Sequence, residues 1–232
     1  MKVLKFNIGG VGATFTKPFS NTLFYTYSHI HKISVLGILA SIIGIEKTNN
    51  IELPLFYKEL NDLKISVVPK EVDFSSTFFE FTETSGFFNK EGSTYIAKYE
   101  MLINPSWEIY IEGSGNKYFN EIIRCLNESE YKYMPYLGKN YLNAYISDIE
   151  VLEGEYKEDV NKIDSLFIKG NSIVESLDDL EEDDIYFEDV FPISLNKETY
   201  LYEEEFMVLT NGYVNNIDKP ILNCNNKNLY MI

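Results

Sequence analysis

The chain has 232 residues, 45% apolar and 15% aromatic, which is enough to fold as one large or two small domains and too apolar for a disordered chain. A formal net charge of −16 argues against a freestanding nucleic-acid binder, and two cysteines, Cys125 and Cys224, supply neither a disulfide framework nor a zinc pattern. The longest apolar run, Ile33 to Ile45, is too short to cross a bilayer as a helix, and MKVLKFNIGG lacks a signal-peptide pattern, so the chain reads as cytoplasmic with reduced thiols.

Lys2 to Ile8 alternates apolar and polar residues and predicts a strand. The following Gly9-Gly10-Val11-Gly12 matches no phosphate-binding signature and reads as a bend or bulge. Phe15 to Lys32 is a polar, aromatic loop carrying Lys17, His29 and Lys32, several hydroxyls and four rings between Phe19 and Tyr27. It leads into a predicted helix over 32–44, capped by Ser28 or Ser34. Such a loop beside a helix N-terminus suits an anion, and residues 1–45 contain no Asp or Glu while carrying four lysines. Ordinary packing before a core helix is the competing reading.

Leu53 to Leu60 predicts a short helix with Pro54 in its first turn, and Leu63 to Val68 a strand stopped by Pro69. Residues 71–103 form a predicted long hairpin, with Phe74, Phe78, Phe79 and Phe81 on one arm and an alternating Tyr95–Ile103 on the other. It either reaches out to a partner or nucleic acid, or folds back into the main sheet. Trp107–Ile111 is a strand, Lys117–Leu126 an amphipathic helix, residues 135–140 a loop, and Tyr141–Leu152 a strand. The order strand, helix, strand, hairpin, strand, helix, strand predicts an α+β, ferredoxin-like domain over 1–152, a topology that many RNA-binding modules use.

Residues 153–232 are an acidic, β-rich region with strands at 185–193 and 200–209. Charge is uneven: 13 bases meet 15 acids in residues 1–135, and 7 meet 21 in 136–232. Residues 175–189 hold nine acids and no base, without EF-hand spacing or a nearby His, so they read as solvated surface; no metal and no cofactor is expected. His29 and His31, with Tyr27 and Lys32, are the one candidate set for metal-free general acid–base chemistry on RNA. Taken singly, each histidine reads first as a packed or solvent-facing residue, and no other nucleophile or metalloprotease motif is present.

Phe15-x-Lys17-Pro18-Phe19, Thr26-Tyr27, the run Leu36 to Gly44, Leu102-Ile103-Asn104-Pro105 with Trp107-Glu108-Ile109-Tyr110, and Leu137-Gly138-Lys139-Asn140 together resemble the Cas-five family of the RAMP superfamily. These proteins are subunits of type I CRISPR effector complexes (Cascade), and the pattern is most similar to subtype I-B. The resemblance covers about residues 1–150. It implies a ferredoxin-like core, the hairpin 71–103 as a thumb, and a smaller C-terminal β region. It also implies a non-catalytic antiviral-defence role: binding the 5′ handle of crRNA, capping the backbone filament and docking the large subunit, with target DNA held in the same complex and no membrane partner. Carried over residue by residue, Lys17, Lys32 and Lys139 would contact phosphates. Ser20 and Thr26, Tyr27, Ser28 and His29 would hold handle nucleotides, with Tyr25 or Tyr27 stacking and Gly138 and Asn140 completing the set. Ser28-His29-Ile30-His31 departs from the prolines that many members carry after Thr-Tyr. The alternative is a metal-independent endoribonuclease that processes repeat RNA, as in the I-C branch, using Tyr27, His29 or His31, and Lys32.

Overall fold

The computed structural model describes residues 1–19, 23–46, 53–83, 95–174 and 185–232. In chain order these form β1 (Lys2–Gly9), β2 (Gly12–Ala13), β3 (Leu23–Phe24), α1 (Lys32–Ile43), α2 (Leu55–Leu60), β4 (Lys64–Pro69), β5 (Ser76–Glu83), β6 (Tyr95–Ile103) and β7 (Ser106–Glu112). There follow α3 (Phe119–Glu128), β8 (Tyr145–Lys157), β9 (Phe167–Ile168), β10 (Ile173–Val174), β11 (Tyr186–Leu195), β12 (Tyr202–Thr210), β13 (Val214–Asn215), β14 (Ile221–Cys224) and β15 (Lys227–Leu229). The architecture is mixed α+β and mostly β.

The main sheet has the order β15–β14–β8–β1–β7–β4, with every pair antiparallel. β1 and β4 are joined through α1 and α2 yet separated by β7. β7 and β8 are joined through α3 yet separated by β1. Two crossovers are thus interleaved in four central strands, and both long helices pack on one face. Leu4, Phe6, Ile8, Ile65, Val67, Ile109 and Ile111 point to that face and join Leu36, Leu39, Ile122 and Leu126 in one core. Alternation sends Lys5, Ser66, Glu108 and Tyr110 to the other face. There Glu108 is nearly buried and accepts from Lys70, from Lys227 at 2.7 Å and from the Tyr110 hydroxyl at 3.0 Å. Burial pushes its carboxyl up, but these donors outweigh burial and hold it down at about 2.

The C-terminal region shares the main core. Leu166, Phe191, Leu195 and Met207 belong to the cluster that contains Leu4 and Leu36, and β8 runs through residue 152 to Lys157. β11, β12 and β9 form a separate three-stranded sheet whose β11 packs beside α1.

Several local expectations need correction. His31, not Ser28 or Ser34, caps α1: the Ser34 amide donates to its Nδ1 at 3.4 Å. Residues 141–144 are loop, because Leu142 and Ala144 spend their amides on Lys139 and Pro135 carbonyls and the Leu142 carbonyl receives the Leu137 amide. Phe74 leaves the hairpin and is buried against Trp107. Pro69 ends β4 from within the strand. The hairpin tip and residues 175–184 of the acidic run lie outside the described residues.

Candidate nucleic-acid interface

The described residues of the loop, 15–19 and 23–32, are held between the hairpin, the core and the β11–β12 pair. Thr26 Oγ1 accepts the Phe15 amide at 2.8 Å and donates to the Tyr27 carbonyl, while the Thr26 amide donates to Glu100 Oε2 at 3.1 Å. Tyr27 is buried, donates its hydroxyl to Glu204, and is pushed up by burial and then by that carboxylate. Lys17 meets Asp189 at 3.3 Å with its ammonium 5.3 Å from the Tyr27 ring centre, and Ser28 donates to the same carboxylate. The sequence of the loop is free of acids; the fold supplies them from β6, β11 and β12. Of the residues expected to contact RNA here, Lys17 and Ser28 are met by Asp189, Thr26 by Glu100 and Tyr27 by Glu204.

His29 is fully enclosed. The Trp107 indole N–H donates to its Nδ1 at 3.3 Å, and its Nε2 lies 3.0 Å from the Val72 carbonyl. An indole only donates and a carbonyl only accepts, so the ring is neutral with its proton on Nε2. Burial pulls its pKa down to about 4, and that of buried His31 to about 3. Lys32 donates to the Ile232 carbonyl at 3.1 Å, and burial, then Lys219, lowers it to about 8. The Tyr27 and His31 rings pack edge to face at 5.2 Å, while the hydrogen bonds of Tyr27, His29, His31 and Lys32 go to Glu204, to Val72 and Trp107, to Ser34 and to Ile232. Ser20 lies outside the described residues.

A second group of expected residues does come together, on the hairpin. Residues two apart along a strand share a face, so Phe79 and Phe81 of β5 lie with Tyr99 and Ala97 of β6, their register partners. Phe24 of β3 stacks on Tyr99 at 4.5 Å and 12°, and Phe79 lies nearly parallel to Tyr99 at 5.7 Å. From the loop before β8, Tyr141 sets its ring edge-on to Phe79 and Phe81, and Lys139 places its ammonium 4.3 Å from the Tyr99 ring centre. The loop 137–140 can lie this close because Gly138 has φ +88° and a Cβ there would stand 1.7 Å from the Thr14 carbonyl oxygen. Among the described residues, Lys139 meets no carboxylate. Phe81 and Tyr141 remain 39% and 47% exposed, so both rings offer a face to a ligand. Asn140 is exposed beside them. Tyr25, 45% exposed, pairs edge-on with Phe78 on the other face of the hairpin.

Gly138, Lys139, Asn140 and Tyr25 were legible in sequence. Tyr99, Tyr141, Phe79 and Phe24 were not singled out as site residues, although alternation in β5 and β6 gives the Phe79/Phe81/Tyr99 face. Among the described residues there is no group of His, Cys, Asp or Glu able to hold a metal ion, and no helix is long and apolar enough to cross a membrane.

No family model matches the chain, and no curated protein matches it. Among solved structures it is similar to a chain described as a CRISPR RNA-guided surveillance complex, at 12% identity and a TM-score of 0.56, covering 92% of this chain and 91% of that one. It is also similar to a CRISPR protein from Archaeoglobus fulgidus, at 12% identity and a TM-score of 0.54, covering 99% and 98%. At this identity the likeness is one of fold.

Proposed function

We propose that the chain is a non-catalytic subunit of a CRISPR effector complex that binds the 5′ handle of crRNA and caps the backbone filament, alongside the other subunits and target DNA. The observation that carries this reading is the platform on which Lys139 and Tyr141 meet the aromatic face of the hairpin. Rings that offer π-faces beside an ammonium suit single-stranded RNA, whose bases stack and whose phosphates need a cation. The shared fold with a chain of an RNA-guided surveillance complex supports the same reading. The strand order β8–β1–β7–β4, with its two interleaved crossovers, supports the ferredoxin-like assignment and, with it, a RAMP subunit.

In this reading the contacts to RNA come from Lys139, Gly138, Asn140, Tyr141, Phe81 and Tyr25. Lys17, Thr26, Tyr27, Ser28, His29 and Lys32 fix the loop beneath. Against the endoribonuclease alternative stand the hydrogen bonds that tie Tyr27, His29 and Lys32 to Glu204, Val72 and Ile232, although Tyr27 and His31 do pack ring to ring. The test is to express the tagged full chain with its effector subunits and a CRISPR array, then sequence the RNA that co-purifies. RNAs sharing one 5′ end are expected. Absence of RNA from the assembled complex, or EDTA-resistant cleavage of repeat RNA by the chain alone, would sink the reading.

A further inference from the structure

Tyr99 and Glu100 are neighbours on β6 and point to opposite faces of the hairpin. Tyr99 belongs to the platform, while Glu100 lies across from Phe78 on the other face. β3 runs parallel to β6, with Leu23 beside Lys98 and Phe24 beside Tyr99. Beyond Phe24 the chain pairs instead with residues 15–17: the Lys17 amide donates to the Tyr25 carbonyl and the Tyr27 amide to the Phe15 carbonyl. The Thr26 amide between them points away from that pair and needs another acceptor. It takes Glu100 Oε2 at 3.1 Å. Glu100 Oε1 accepts the Ser76 hydroxyl at 2.9 Å, at the first residue of β5. One side chain of the middle strand thus holds the end of β3 and the root of β5, and a carboxylate acceptor makes each link roughly twice as strong as a neutral one.

The same three strands carry the parallel rings of the platform, Phe24 on Tyr99 and Phe79 beside it. β3 pairs with β6 over only two residues, so Phe24 keeps its stack only while the chain after it stays tied down. We propose that Glu100 is a positioning residue for RNA binding. Acting from the far face of the hairpin, it fixes the Phe24–Tyr99 stack on which the Lys139 ammonium rests, and it touches no RNA itself. The proposal rests on the reading that the platform meets RNA. The role needs two links and no charge. Gln keeps both, its carbonyl accepting the Thr26 amide and its NH2 donating to the Ser76 hydroxyl oxygen; Ala keeps neither.

The test is filter binding of labelled repeat RNA by the full chain at low salt, with denaturant unfolding of each variant alongside. Glu100→Ala is expected to weaken binding by roughly fivefold or more, the low end for one stacked base, and Glu100→Gln to stay within about twofold of the wild type. Glu100→Met keeps the bulk without either link and gives the same reading if Glu100→Ala does not fold. In a Phe24→Ala background the loss from Glu100→Ala is expected to shrink below about twofold, because the ring it positions is gone. A general loss of stability would instead cost the same in both backgrounds. Wild-type affinity in Glu100→Ala, equal losses in Gln and Ala, or an undiminished loss beside Phe24→Ala each overturns the proposal. Retention that responds to Lys139→Ala and Tyr141→Ala but not to Glu100→Ala sinks this role alone. Retention indifferent to Lys139→Ala and Tyr141→Ala sinks the platform reading itself.

Discussion

The Lys139 ammonium lies 4.3 Å from the centre of the Tyr99 ring, tying the loop before β8 to the middle strand of the hairpin sheet. Substituting Lys139 by Ala removes one cation from the platform. RNA retention should fall several-fold at low salt, and the slope of log affinity against log salt should flatten by about one unit. Lys17→Ala should leave retention within about twofold, because Lys17 already answers Asp189. Filter binding across a salt series reads both.

Tyr141→Ala should weaken RNA binding by about 1–3 kcal/mol, the usual scale for one stacked base, with little effect on folding because the ring is 47% exposed. Tyr141→Phe should keep the affinity. Equal loss in both variants would mean that the hydroxyl, not the ring face, makes the contact.

Gly138 and Gly37 should respond to Ala in opposite directions. Gly138→Ala drives a Cβ into the Thr14 carbonyl at a positive φ and should cost about 2 kcal/mol or more while loosening Lys139. Gly37→Ala lies in a helix with open space beyond and should gain about 0.5–1 kcal/mol. Denaturant unfolding of both variants measures this.

The buried histidines make stability depend on pH. Unfolded, each takes a proton near the ordinary 6.5; folded, His29 waits until about 4 and His31 until about 3. Between about 6.5 and 4 the unfolded chain binds more protons, so stability is full above that window and falls as pH drops through it. Each histidine contributes a slope approaching about 1.4 kcal/mol per pH unit. His31→Asn keeps an acceptor at the helix cap and removes one titration, so its slope between pH 6.5 and 5 should be about half that of the wild type.

His29→Ala strands the Trp107 indole N–H in the core and opens space among Phe74, Phe187 and Phe191. A loss of about 2–4 kcal/mol is expected by chemical denaturation. A His29→Ala chain that keeps full stability yet loses RNA would contradict the packing role.

The sequence carries its central elements plainly. β1, α1, β7 and α3 fall where alternation and helical spacing put them, within about two residues. Phe74 and residues 141–144 misled because their aromatic and alternating character fits a strand, while core packing and loop hydrogen bonds claim them instead. The acid-free loop misled for a different reason. Its carboxylates arrive from Asp189 and Glu204, more than 150 residues away, and such pairing leaves no local mark. The platform was half legible: Lys139 and the hairpin rings were each visible, but their meeting depends on the backbone turn at Gly138.

The most direct test of where RNA lies is photocrosslinking of the assembled complex carrying crRNA with 4-thiouridine in the handle, read by mass spectrometry of this chain. Crosslinks are expected in the peptides holding Phe81, Tyr99 and Lys139 to Tyr141. Crosslinks confined to residues 17–32, with none on the platform, would contradict the account.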